Sequence, residues 1–367
     1  MILMNDFKAE PHELREAMLD AAKRVIDSGW YVLGNEVIDF EKQWASLCGV
    51  DYAVGVGNGM DAIEIALRSL DIGAGDEVIT TPMTAFATVL AILRAGAIPV
   101  LADIEEGTGL LSKESVLRCI SSKTKAIVLV HLYGQVRDMT SWQKLCVDNN
   151  IYLIEDCAQS HLATLGGKVA GSFGVAGAYS FYPTKNLGAI GDGGALVTSN
   201  ETVTERASRL RNYGQSVRYH HPELGMNSRL DEIQAAMLSE RIKWLASFTE
   251  RRREIADQYR AGISNSKISL LIAPQERSAH SYHLFVVKIS DRDLLQKHLQ
   301  DNQVQSLIHY PMPVHYQASC NGVKCDPKGL AVSELYATQC LSIPCHPQMT
   351  NSDVNQVINA INSFQNK

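Results

Sequence analysis

Residues 180–195, which read SFYPTKNLGAIGDGGA, decide the fold. They place Lys185 on a glycine-rich loop that follows a short apolar run ending near Ser180. Asp156 lies 29 residues upstream of Lys185 and ends another apolar run, in the sequence EDCAQ at residues 155–159. Open α/β sheets bind ligands at the carboxyl ends of their strands, so these polar residues are candidates for a single site.

Short apolar runs alternate with segments of helical spacing from residue 52 to residue 199. This alternation predicts an α/β fold with a mostly parallel, seven-stranded sheet covered by helices. The predicted strands are 52–56, 77–81, 98–103, 126–130, 152–156, 178–181 and 195–198, and the predicted helices between them include 61–70, 88–95, 113–120 and 141–149.

The pattern changes near residue 250, which predicts two domains. Residues 1–250 form the predicted large domain, with an N-terminal helix and a later helix that follows Asn227 and carries Ile233, Met237 and Trp244. Residues 251–367 form the predicted smaller α/β domain, in which a charged helix at 250–260 precedes a strand at 283–289 and a helix at 292–300.

Composition excludes several classes of protein. A net charge of −6 and a pI near 6.0 argue against nucleic-acid binding, and no apolar run is long enough to cross a membrane. An N-terminus without an apolar signal core and eight scattered cysteines indicate a cytoplasmic protein with reduced thiols. The C-x4-C pairs Cys320/Cys325 and Cys340/Cys345 lack a zinc-site pattern, so we expect no metal.

A lysine amine, a carboxylate and a glycine-rich turn together suit pyridoxal 5'-phosphate (PLP). Asp156 would keep the ring nitrogen protonated, Gln159 would lie near the phenolic oxygen, and Lys185 would bond to the cofactor and carry protons. Ser180 and the helix start at residues 55–60, GVGNGM, would hold the phosphate. Taken singly, each feature is also typical of a capping aspartate, a loop lysine or a plain strand-to-helix turn.

Seven segments together give a specific resemblance. They are GNGMDA (57–62), HLYGQ (131–135), EDCAQSH (155–161), SFYPTKNLGAIGDGGA (180–195), LRNYG (210–214), NSRLDEIQAA (227–236) and IHYPMPVH (308–315). In this order they resemble the PLP-dependent sugar-nucleotide aminotransferases, which have the fold type I of aspartate aminotransferase. The resemblance implies a homodimer with shared active sites.

The resemblance also implies roles for individual residues. Lys185 is the Schiff-base lysine, and related sugar dehydratases have histidine there, so transamination is favoured over dehydration. The residues implied to hold the cofactor are Gly59, Met60, Asp156, Gln159, Ser180, Lys185 and, reaching the neighbouring subunit's phosphate, Asn227.

One position departs from the family pattern. The family places an aromatic residue two positions before an Ala-Thr pair, where it stacks on the pyridine ring. Ala85 occupies that position here, and Phe86 follows it. Either a local shift lets Phe86 cover the ring, or that face of the ring is less well covered.

Six further residues are candidates for the substrate pocket. Positive charge could hold a nucleotide diphosphate, and the proline-spaced His and Tyr residues resemble the family segment that lines the sugar. The alternatives are a solvated face and a rigid structural loop. The candidates are Tyr182, Arg211, His220, His309, Tyr310 and His315.

The predicted reaction is transfer of an amino group from glutamate to C3 of a dTDP-3-keto-6-deoxyhexose, the branch that the sequence most resembles. A 3-aminotransferase of a UDP-2-acetamido-3-keto-uronate and a C4 aminotransferase are the alternatives. The product would enter O-antigen, lipopolysaccharide or another deoxyamino sugar. A non-catalytic regulator that binds PLP is a remote alternative.

Overall fold

Eleven α-helices and thirteen strands are present in the computed structural model, which describes residues 1–365. The helices are α1 (His12–Ser28), α2 (Asn35–Cys48), α3 (Gly59–Ser69), α4 (Phe86–Arg94), α5 (Lys113–Cys119), α6 (Met139–Asp148), α7 (Glu201–Leu210), α8 (Glu232–Gly262), α9 (Arg292–Asp301), α10 (Ala331–Gln339) and α11 (Asn351–Asn362). The strands are β1 (Tyr52–Val56), β2 (Glu77–Thr80), β3 (Ile98–Leu101), β4 (Thr124–Val130), β5 (Tyr152–Asp156), β6 (Thr164–Leu165), β7 (Lys168–Val169), β8 (Ala176–Ser180), β9 (Gly194–Thr198), β10 (Ser269–Leu270), β11 (Phe285–Lys288), β12 (Lys324–Cys325) and β13 (Cys340–Ile343).

The main sheet has eight strands in the order β1-β9-β8-β5-β4-β2-β3-β12. Strand β9 is antiparallel to both of its neighbours, and every other pairing in this sheet is parallel. All seven predicted strands are present, and the two-residue β12 adds an eighth at the edge. The mostly parallel α/β fold is therefore confirmed.

Helices cover both faces of this sheet, as its continuous apolar strands require. On one face α3, α4 and α7 bury an aliphatic cluster that includes Ile65 and Leu210. On the other face Phe40 and Trp44 of α2 pack edge-on against Phe181. The last apolar residues of β8 and the lysine loop are thus fixed by aromatic packing.

The chain beyond residue 262 forms a three-stranded antiparallel sheet in the order β10-β11-β13. Its core lies between this sheet, α9, α11 and the end of α8, where Tyr259 packs on Phe285. Within residues 1–365, no helix has the length and apolar character needed to span a membrane.

Helix α8 corrects one prediction. The two helices predicted near residues 230–244 and 250–260 are a single helix of 31 residues. Neither Gly nor Pro occurs between Trp244 and Glu250, so no residue there interrupts the backbone hydrogen bonds. The helix crosses the predicted domain boundary, and the division into 1–250 and 251–367 stays a prediction.

Residues from the C-terminal third also bind the main sheet. Strand β12 pairs in parallel with β3, and the buried carboxylate of Asp326 accepts hydrogen bonds from Arg118 and Ser115 on α5. Asp103, which follows β3, accepts hydrogen bonds from the first amides of α10 at Val332 and Ser333. These contacts join the segment 324–333 to the edge of the large sheet.

Candidate active site

Asp156 lies at the carboxyl end of β5, and its carboxylate is held in one orientation. Thr88 Oγ1 donates a hydrogen bond to Oδ2 at 2.8 Å, and the Ala158 amide donates to Oδ1 at 3.1 Å. Thr88 in turn contacts the Thr84 hydroxyl at 2.8 Å. Asp156 is only 6% exposed, so this carboxylate faces the interior of the site rather than solvent.

Lys185 lies on the loop between β8 and β9, close enough to Asp156 for the carboxylate to act on its charge. Burial lowers the pKa of the Lys185 amine to about 8, although the negative charge of Asp156 raises it in part. The loop is tight, because a Cβ on Gly188 would clash with the Pro183 carbonyl oxygen. A lysine with a lowered pKa is a nucleophile and a base near neutral pH.

The N-terminus of α3 lies against Ser180. Asn58 caps the helix by accepting a hydrogen bond from the Asp61 amide at 2.9 Å. The amides of Gly59 and Met60 have no acceptor in the described chain. A Cβ on Gly59 would lie 2.7 Å from the Ser180 Cβ, so glycine keeps this space open. Free amides beside a hydroxyl fit a phosphate group.

Gln159 is held between two tyrosines. Its Oε1 accepts a hydrogen bond from the Tyr133 amide at 2.6 Å, and its Nε2 donates to the Tyr310 hydroxyl at 3.2 Å. Burial raises the pKa of Tyr310 to about 12, with a further contribution from Asp156, so its hydroxyl stays protonated. Burial and the nearby Lys185 charge lower the pKa of His309 to about 4, so its imidazole is neutral.

The structure therefore brings together most of the predicted cofactor residues and part of the predicted substrate residues. The charge of Asp156 acts on Lys185 and Tyr310, and the charge of Lys185 acts on His309. Gln159 donates a hydrogen bond to Tyr310. This cluster combines an amine, a carboxylate and two neutral polar side chains at the carboxyl ends of adjacent strands β5 and β8.

Other predicted residues have partners of their own. Arg211 forms an ion pair with Glu41, and the His315 imidazole lies 3.2 Å from Glu334. Tyr182, His220 and Asn227 are exposed in the single chain.

Phe86 is the first residue of α4 and packs against the cluster that contains Val89, Leu101 and Val314. Its predicted contact with the pyridine ring stays a prediction, as do the assigned roles of the other site residues.

Sequence reasoning did not assign roles to Thr88 and Tyr133, which orient Asp156 and Gln159. Thr88 belongs to the Ala-Thr pair next to the departure at Ala85, and Tyr133 is in the HLYGQ segment. Both residues therefore lie in segments that the sequence analysis had singled out. Their partners could not be predicted, because Thr88 is 68 residues from Asp156 and Tyr133 is 26 residues from Gln159.

A buried cluster of His131, Glu155 and Cys157 has the ligand types of a metal site, with all three ligand atoms within 4.8 Å of one another. Glu155 already accepts hydrogen bonds from the amides of Gly171, Phe173 and Gly174, and His131 Nε2 lies 2.8 Å from its Oε2. This carboxylate therefore fixes the loop after β7 and the end of β4.

Comparison with known proteins identifies the family of the chain. Residues 12–362 match the profile of the DegT/DnrJ/EryC1/StrS aminotransferase family. The chain belongs to this family. A dTDP-3-amino-3,6-dideoxy-alpha-D-galactopyranose transaminase of Aneurinibacillus thermoaerophilus is 42% identical over 99% of both chains. A dTDP-3-amino-3,4,6-trideoxy-alpha-D-glucose transaminase of Streptomyces venezuelae is 40% identical, over 98% of this chain and 95% of the relative.

A solved structure shows that the similarity extends to the whole fold of this aminotransferase. The crystal structure of DesV from S. venezuelae superposes with a TM-score of 0.94 at 40% identity, and the match covers 98% of this chain and 97% of that one. The arrangement of the main sheet and its helices therefore matches that of a solved structure over nearly the whole chain.

Proposed function

We propose that this aminotransferase uses PLP to transfer an amino group from glutamate to C3 of a dTDP-linked 3-keto-6-deoxyhexose. The observation that carries the proposal is the Lys185 amine, whose pKa is lowered to about 8, beside an Asp156 carboxylate fixed by Thr88. PLP, when bound, withdraws electrons from the carbon that carries the transferred nitrogen.

The residues of the site fit this cofactor. The amides of Gly59 and Met60 and the Ser180 hydroxyl would hold its phosphate, and the Asp156 carboxylate would hold the proton on its ring nitrogen. In its neutral form Lys185 would accept a proton from the substrate carbon in one half-reaction. It would deliver a proton to the substrate carbon in the other.

The choice of substrate rests on similarity. Both curated relatives described above are named as transaminases of dTDP-3-amino sugars, and they match this chain over nearly its full length. His309, close to Lys185, and Tyr310, bonded to Gln159, supply neutral hydrogen-bonding groups of the kind that bind sugar hydroxyls.

The homodimer and the cytoplasmic location belong to the proposal. Asn227 is exposed in the single chain and forms a backbone bridge with Asn212, on a surface that a partner subunit could cover. In the proposed dimer, Asn227 would reach the phosphate bound in the neighbouring subunit.

The test begins with the visible absorption spectrum of the purified protein, before and after glutamate. We expect an absorption band from lysine-linked PLP that glutamate abolishes, and we expect Lys185→Ala to lack this band. Lys168→Ala, in the exposed hairpin of β6 and β7, is the matched control and should keep it.

Several outcomes would overturn the proposal. Failure of the wild type to bind PLP would exclude the aminotransferase mechanism, and a band that glutamate leaves unchanged would exclude glutamate as donor. A panel of dTDP- and UDP-linked 3-keto and 4-keto sugars then tests the acceptor. Turnover of only a UDP-linked or a 4-keto sugar would refute the proposed substrate.

A further inference from the structure

Tyr133 is held in an unusual backbone conformation in the short turn at residues 132–134, which follows β4. Its φ is 63°, in the left-handed region that bulky side chains rarely adopt, and its side chain is only 1% exposed. Gly134 follows with a φ of 100°, and a Cβ there would lie 2.7 Å from the Gln159 carbonyl oxygen. The loop that contains Tyr133 and Gly134 therefore packs closely against the backbone of Gln159.

The backbone of Tyr133 sets the orientation of that amide. Its N–H donates to Gln159 Oε1 at 2.6 Å, and because an amide N–H can only donate, the oxygen of Gln159 has to face it. The NH₂ group therefore points the other way, where it donates to the Tyr310 hydroxyl at 3.2 Å.

The side chain of Tyr133 makes a second contact, with the segment that carries His309 and Tyr310. Its hydroxyl donates to the His309 carbonyl oxygen at 2.6 Å. The imidazole of His309 is fixed on its other side by Ser342 Oγ, 2.9 Å from Nδ1. Tyr133 thus joins the cofactor side, through Gln159, to the segment that carries His309 and Tyr310.

We propose that Tyr133 is a positioning residue for the acceptor sugar. It fixes the position of residues 309–310 relative to Gln159. The neutral side chains of His309 and Tyr310 then contact the sugar when its keto carbon lies next to Lys185. This inference rests on the proposed function. The compact amino donor needs only the cofactor and Lys185, whereas the larger sugar also needs the surface formed by His309 and Tyr310. Loss of the Tyr133 hydroxyl should therefore weaken binding of the acceptor sugar.

The variant Tyr133→Phe removes one hydroxyl and keeps the backbone N–H and the ring. Tyr259→Phe is the matched control, because its buried hydroxyl also donates to a backbone carbonyl, that of Pro344 at 2.7 Å. We expect Tyr133→Phe to raise the KM for the sugar by roughly 5- to 10-fold, the range expected for one lost hydrogen bond. The rate of the glutamate half-reaction, followed by absorbance, should stay at the wild-type value.

The control should change neither quantity, although both variants lose a similar buried hydrogen bond. An unchanged sugar KM in Tyr133→Phe would overturn the inference, and so would an equal loss in both half-reactions. These results differ from failure of the proposed function, in which the wild-type protein itself would not respond to glutamate or to any ketosugar.

Discussion

The Lys185 amine offers a direct test of the site in the cofactor-free protein. A pKa of about 8 instead of the usual 10.5 means that the amine is neutral in ~10% of molecules at pH 7, against ~0.03% for an ordinary lysine. The pocket therefore raises the neutral fraction ~300-fold. Burial lowers this pKa and the charge of Asp156 raises it, so Asp156→Asn should move the midpoint further down.

Competitive labelling with an amine-directed reagent measures this midpoint. The extent of labelling of Lys185 is followed against pH by mass spectrometry of the peptide that contains it, and Lys168 on the exposed β7 serves as internal reference. Restricted access of the reagent to Lys185 slows labelling by the same factor at every pH and does not shift the midpoint. Identical midpoints for Lys185 and Lys168, or an upward shift in Asp156→Asn, would refute the electrostatic reasoning.

Two further predictions concern the phosphate site and the edge of the sheet. Gly59→Ala would place a Cβ 2.7 Å from the Ser180 Cβ, so the dissociation constant for PLP, measured by absorbance titration, should rise at least ~10-fold; unchanged affinity would contradict the phosphate assignment. Burial raises the pKa of Asp326, but hydrogen bonds from Arg118 and Ser115 outweigh it and lower the pKa from 3.8 to about 2. This shift corresponds to about 2 kcal/mol of stability that is present above about pH 4 and is lost as pH falls through about 2. Asp326→Asn should therefore lower the free energy of unfolding, measured with denaturant at pH 7, by about that amount, and equal stability of the two proteins there would contradict the assignment.

The sequence predicted the architecture because seven of the eight strands of the main sheet are short apolar runs, and helical segments alternate with most of them. Asp156 and Ser180 could be placed at strand ends for the same reason, and the structure has β5 and β8 side by side. The glycine-rich sequence around Lys185 predicted that this lysine lies on a loop at the same edge of the sheet. These features are local, so spacing and composition were enough to find them.

The remaining features depend on contacts between distant parts of the chain. Strand β12 has only two residues and is fixed by Asp326, whose partner Arg118 lies 208 positions away. Tyr133 donates a hydrogen bond to the His309 carbonyl, 176 positions away. Its positive φ could not be predicted, because tyrosine, unlike glycine, does not indicate such a conformation. Neither periodicity nor residue type could predict such pairings, because they form only once the sheet and the C-terminal sheet have packed.

The pairing of β12 with β3 has a consequence for how substrates enter and leave. The C-terminal third is joined to the rest of the molecule both by the continuous backbone of α8 and by a strand in the main sheet. Two attachments at separate places resist rotation about a single hinge. Access to Lys185 therefore cannot depend on one half of the molecule swinging away from the other about the end of α8 while β12 stays paired with β3.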